Sequence, residues 1–217
     1  MEDVIVVGGT GYMGRPLIEK LCADGFRVTA VARSQSIAKL PAGCGAITGN
    51  ALDSRTYEDQ VPPGSTFVHL VGTPHPAPWK AAEFRSVDLV ALEQSVAAAR
   101  HAGAKHFVFV SVAHPAPAMK AYVEIRIQCE QKIRESGLTA TILRPWYVLG
   151  PGHYWPYVLV PIYKALEAIP TTRDSAVRLG LVTRSQMVNT LAAAVASGAT
   201  GIRVLETAEI RSLGDTR

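Results

Sequence analysis

The chain has 217 residues, of which 48% are hydrophobic and 18% charged, the proportions of one packed globular domain. Its formal charge is +4, and the 22 Lys and Arg are scattered among 18 Asp and Glu with no basic stripe interleaved with aromatics, which argues against a nucleic-acid partner. Cys22, Cys44 and Cys129 are odd in number and lack C-x-x-C spacing, and the six histidines form no ligand pairs at helical spacing. No disulfide framework and no metal site are therefore expected, and a reducing, cytoplasmic compartment is.

In chain order, Val4–Val7 reads as a short apolar strand and begins almost at the N-terminus, with no charged head and apolar signal core before it. It runs into V-I-V-V-G-G-T-G-Y-M-G-R-P and a helical pattern over Gly14–Ala23. Further β-rich runs follow at Arg27–Ala32, Ala46–Thr48, Thr66–Val71, His106–Ser111 and Ala140–Leu143. Helical patterns at Ser86–His101 and Met119–Ser136 lie between them, and Gly25, Gly103 and Gly137 close helices where a C-terminal cap belongs. From Pro145 to Tyr163 there is no Asp, Glu, Lys or Arg. Four prolines there break any spanning helix, so the stretch reads as pocket wall and core, with no integral membrane segment. Tyr157–Ala168 suggests a helix interrupted by Pro161, Thr183-Arg-Ser-Gln186 a capping box opening a helix through Ala196, and Ile202–Leu205 a last strand.

Strands buried on both faces and alternating with helices imply an α/β fold, a doubly wound Rossmann arrangement with a mainly parallel sheet. Residues 1–217 form one domain, with a cofactor-binding core over 1–155 and a small substrate-side portion over 156–217. In such a fold the ligand lies at the carboxyl ends of the strands. Gly8, Gly11 and Gly14 have the spacing of a dinucleotide loop after a first strand, where Thr10, Tyr12 and Met13 join them around the phosphates. The second strand ends in Arg33-Ser34, a guanidinium and a hydroxyl where an NAD site carries a carboxylate, so NADP(H) is expected over NAD(H). Asn50 and Ala51 after the third strand, and Val71, Gly72 and Thr73 after the fourth, fall where adenine and nicotinamide-ribose contacts lie. Asp53 is equally well explained as a helix N-cap.

Four segments together resemble an atypical short-chain dehydrogenase/reductase close to the extended, epimerase-like members. They are T-G-Y-M-G, F-V-F-V-S ending at Ser111, Tyr122-x-x-x-Arg126 on the next helix, and T-I-L-R-P-W-Y-V-L-G-P-G from Thr141 to Gly152. The resemblance implies Tyr122 as the acid-base group, Arg126 in place of the family's lysine as the ribose clamp, and Ser111 as helper. It also implies that Pro145, Tyr147 and Val148 pass the nicotinamide end. The chain departs from the pattern at Arg126 and at Val112, where a second serine is common. Trp146, Tyr147, Tyr154, Trp155 and Tyr157 would form an aromatic wall suited to a small, rather apolar carbonyl or alcohol. Two alternatives stand beside such an oxidoreductase: a non-catalytic NADP(H)-binding redox sensor or assembly protein, and an epimerase that retains its cofactor. Family members often pair through helices, so a homodimer is compatible with the resemblance.

Overall fold

In a computed structural model, residues 2–151, 158, 160–198 and 200–215 are described. Nine strands and eight helices alternate among them: β1 Asp3–Val7, α1 Gly14–Ala23, β2 Arg27–Ala32, β3 Gly45–Thr48, β4 Thr66–His69, α2 Ala81–Glu83, α3 Val90–His101, β5 His106–Val110, α4 Lys120–Glu135, β6 Ala140–Arg144, β7 Tyr147–Leu149, α5 Val160–Ala168, α6 Arg173–Arg178, β8 Leu181–Thr183, α7 Arg184–Ser197, β9 Ile202–Glu206 and α8 Thr207–Asp215. Seven strands make one sheet in the order β3-β2-β1-β4-β5-β6-β9, parallel throughout. This is the doubly wound Rossmann arrangement, with a reversal of strand order beside β1.

Side chains alternate across the pleat, and both faces are apolar. Ile5, Val7, Phe67, Phe107, Phe109 and Ile142 point to one face, where Leu92 and Val96 of α3 and Ile125, Cys129 and Ile133 of α4 cover them. Val4, Val6, Val28, Ala30, Val68, Val108 and Leu143 point to the other, against Leu17, Ile18 and Leu21 of α1 and Met187, Leu191 and Val195 of α7. The rings of Phe67 and Phe107, neighbours on β4 and β5, stack with centroids 5.8 Å apart. α7 opens on the expected capping box: the Gln186 N–H donates to Thr183 Oγ1 at 3.1 Å, and the Thr183 N–H to Gln186 Oε1 at 2.8 Å.

Several boundaries differ from the sequence reading. β4 stops at His69 and β5 at Val110, so Val71 and Ser111 lie in the strand-end turns. The helix expected from Ser86 begins earlier, through α2 and a π-helical segment over Phe84–Leu89 that leads into α3. Pro161 falls in the first turn of α5, where its missing N–H has no helical partner to lose, so it starts that helix instead of interrupting it. The short β7 and β8 pair in parallel as a second sheet of two strands, and α8 closes the chain. Strands of three residues are too short for a period to show. Among the described residues, no helix is long and apolar enough to cross a membrane.

Candidate cofactor and active site

The turn after β1 is built so closely that two of its glycines have no alternative. Gly8 has φ 96°, and a Cβ there would lie 2.8 Å from the Leu70 carbonyl carbon. A Cβ on Gly14 would overlap the Gly8 carbonyl oxygen and approach the Gly9 carbonyl carbon to 2.7 Å. Gly11 is exposed, meets only the Gly8 oxygen at 3.2 Å, and its N–H closes the turn onto that oxygen at 3.1 Å. Beyond it α1 presents a helix N-terminus without a side-chain cap at the carboxyl edge of the sheet, where the positive end of the helix dipole favours an anion. The cradle has the shape to take a dinucleotide's pyrophosphate, and the residues around it are the expected Gly8, Thr10, Gly11, Tyr12, Met13 and Gly14.

Arg33 and Ser34 emerge exposed from the end of β2. Among the described residues no carboxylate is within ion-pair distance of Arg33. Asn50 and Ala51 occupy a tight turn in which the Leu52 N–H donates to Asn50 Oδ1 at 3.1 Å and the Asn50 N–H to Thr56 Oγ1 at 2.9 Å. Asp53 makes no side-chain cap to the following 3₁₀ turn and instead accepts from Arg55 Nε and Nη2, at 2.8 and 2.9 Å.

Gly8 packs on Leu70 and Val71, and Gly72, next along the chain, packs on Arg126: a Cβ there would be 2.5 Å from Arg126 Nη2. One strand-end turn thus separates the glycine loop from the Tyr122–Arg126 pair. Arg126 is only 5% exposed. It donates to Asp88 Oδ1 at 2.7 Å and to the Val110 carbonyl at 3.1 Å, and lies 5.0 Å from the centroid of the half-buried Tyr122 ring. Burial pushes the guanidinium pKa down, but Tyr122 and Asp88 beside it outweigh that and hold it above the usual value. Asp88, fully buried on the π-helical segment, also accepts from the Thr73 N–H at 2.9 Å and the Thr73 hydroxyl at 2.6 Å. Phe84 meets the Tyr122 ring edge-on at 5.1 Å. Below Arg126, His69 bonds Ser95 Oγ at 2.8 Å, and burial, reinforced by the Arg126 charge, pushes its pKa down to about 3.

Ser111 lies at the end of β5, but its hydroxyl donates to Glu130 Oε1 at 2.6 Å. Glu130 is 3% exposed and also takes Arg144, which bonds both carboxylate oxygens and reaches on to Glu206 at 2.8 Å. His114 Nε2 lies 3.5 Å from Glu130 Oε1. Burial pushes the Glu130 carboxyl up, yet the hydrogen bonds from Arg144 and Ser111 prevail and hold it below the usual range. The structure therefore brings Tyr122 and Arg126 together and ties the Ser111 hydroxyl into a separate buried network.

The buried Pro145 accepts from the Ala113 N–H at 2.9 Å, and Tyr147 and Val148 form β7 beside it. The Trp146 and Tyr147 rings meet at 5.3 Å; Tyr154, Trp155 and Tyr157 lie outside the described residues. Two residues near these groups carry no signal in the sequence for the contacts they make. Asp88 has no local pattern to mark it. Arg184, inside the capping box at the start of α7, stacks over the Tyr12 ring at 5.2 Å, a contact that the capping pattern does not signal. Among the described residues, no group of three or more His, Cys, Asp or Glu could hold a metal ion.

The profile of a family described as NAD(P)H-binding matches residues 8–159, more than half of the chain. A ceramide reductase of Caulobacter vibrioides is 26% identical over 151 residues, covering 69% of this chain and 47% of the relative. A 4-hydroxy-2-methyl-3-oxo-4-farnesyl-3,4-dihydroquinoline-1-oxide ketoreductase of Stigmatella aurantiaca is 28% identical over 167 residues, covering 67% and 50%. The chain thus spans about half the length of these curated relatives. Among solved structures, the Bordetella bronchiseptica enzyme WbmH in complex with NAD+ superposes with a TM-score of 0.70 at 18% identity, covering 99% of this chain and 79% of that one, a likeness of fold. The chain belongs to the NAD(P)H-binding family.

Proposed function

We propose that the chain is an NADP(H)-dependent oxidoreductase acting on a small, rather apolar carbonyl compound or the corresponding alcohol. The observation that carries this reading is a half-buried tyrosine held against a buried, permanently charged guanidinium, one turn from a loop whose Gly8 and Gly14 admit no side chain. The nicotinamide, when bound, supplies a hydride to the carbonyl carbon. Tyr122 donates its hydroxyl proton to the carbonyl oxygen, which becomes the alcohol, and Arg126 stabilises the phenolate left behind. Because Arg126 stays protonated, it does not relay that proton, and Tyr122 recovers one from solvent. Arg33 and Ser34 would hold the 2′-phosphate. The aromatic pair Trp146–Tyr147 and the names of the two relatives, both reductases of compounds with long apolar parts, support an apolar substrate.

Calorimetric titration with NADPH and NADH tests the cofactor, with NADPH expected to bind at least roughly tenfold more tightly through the charged Arg33 contact. Tyr122→Phe is expected to lower kcat on a carbonyl substrate by about 10²- to 10⁴-fold while leaving the NADPH Kd within about twofold. A second reading, the redox sensor, is favoured by the loss of the Ser111 hydroxyl to Glu130 and of the Arg126 donors to Asp88 and Val110. Tight NADPH binding with no turnover of any apolar carbonyl, quinones included, would decide for it. Absence of binding to either nucleotide would overturn both.

A further inference from the structure

The cleft above the glycine loop has a volume of about 370 Å³, and its walls include Thr10, Gly11, Tyr12, Arg15, Glu19 and Arg184. Two arginines face one glutamate there. Among the described residues neither Arg15 nor Arg184 has a carboxylate within ion-pair distance, whereas the buried or half-buried Arg126 and Arg144 are both paired. Arg184 is nonetheless held in place. Its guanidinium lies over the Tyr12 ring at 5.2 Å, and its backbone leaves the Thr183 capping box at the first residue of α7. Gly150 leaves room for this stack: a Cβ there would overlap the Tyr12 hydroxyl and lie 3.0 Å from Arg184 Cβ. A half-buried cation, fixed by stacking and lacking a carboxylate among the described residues, beside the N-terminus of α1 is an arrangement completed by an anion.

We propose that Arg184, delivered by the C-terminal part of the chain, and Arg15 of α1 form a two-sided cationic clamp on the pyrophosphate of the bound dinucleotide. This rests on the nicotinamide-dinucleotide reading above. It gives the region after residue 156 a share in holding the cofactor as well as the substrate, and it assigns the two arginines to a group that NAD(H) and NADP(H) have in common.

The test is calorimetric titration of wild type, Arg184→Gln and Arg33→Ala with NADP+, NAD+ and ADP-ribose, each at low and high salt. Arg184→Gln is expected to weaken all three ligands by a similar factor, roughly tenfold or more, and to lower the salt dependence of binding. Arg33→Ala is expected to weaken NADP+ alone. Arg184→Lys, which keeps the charge without the planar fork, falls between wild type and Arg184→Gln. Should Arg184→Gln melt far below wild type, Arg15→Gln carries the same expectation from the other wall. Wild-type affinities in Arg184→Gln, or a loss confined to NADP+, overturn the clamp while the cofactor reading stands. A wild type that binds none of the three ligands overturns both.

Discussion

At Gly14 the side chain is excluded by the turn itself. A methyl group there would run into the Gly8 carbonyl oxygen and into Gly9, both backbone, so neither can rotate away. Gly14→Ala is expected to cost about 1–3 kcal/mol of stability, read from the midpoint of urea unfolding, and to weaken dinucleotide binding in the same preparation. The spacing of Gly8, Gly11 and Gly14 showed this requirement in the sequence because the whole turn is local. Gly72 and Gly150 are approached by side chains instead, Arg126 and Tyr12 with Arg184, and no local spacing shows those distant contacts in the sequence.

Helix α4 carries Tyr122, Arg126 and Glu130 at successive i, i+4 positions, which suggests an ion pair along one charged face. Burial decides otherwise. Both charges are inside, and each finds a partner on another element: Arg126 takes Asp88 of the π-helical segment, and Glu130 takes Arg144 of β6. Asp88 in turn holds Thr73, so one carboxylate joins the turn after β4 to the helix that bears the tyrosine. Asp88→Ala would leave the Arg126 charge buried without its partner. A loss of about 3–5 kcal/mol is expected, or roughly 6–20 °C in Tm by calorimetry. Asp88→Asn, which keeps the shape and an acceptor oxygen, should fall between the two. A Tm for Asp88→Ala within a degree or so of wild type would show that Arg126 reaches solvent or another anion.

For the whole molecule, three buried groups make stability fall in acid. Burial pushes His69 from 6.5 down to about 3 and His106, bonded to Thr141, down to about 4. Below pH 6.5 the unfolded chain takes up protons at these histidines and the folded chain does not until pH falls to about 4 and then 3. Their contribution is therefore complete above pH 6.5 and is lost progressively on acidification. Glu130 adds to the loss from its usual value of 4.5 downward, because protonation weakens its hold on Arg144. Urea unfolding across this range should show a decline on the order of a few kcal/mol between pH 6.5 and pH 4, and His106→Asn should flatten it. An equally steep profile in that variant would place the titrating groups elsewhere.

The sequence by itself determined the class of fold, the strands that build the parallel sheet, the glycine loop and the Tyr122–Arg126 spacing. Each rests on residues within one or two turns of one another, where periodicity and backbone sterics act directly. Tertiary structure alone decided what those side chains do. Arg126 and Asp88 are 38 residues apart, Ser111 and Glu130 19, and Arg144 and Glu206 62. The pairing of β7 with β8 and the stacking of Arg184 on Tyr12 likewise join distant parts of the chain. A buried charge takes whichever partner the fold brings near, and the cost of leaving it alone fixes that choice only once the strands have aligned.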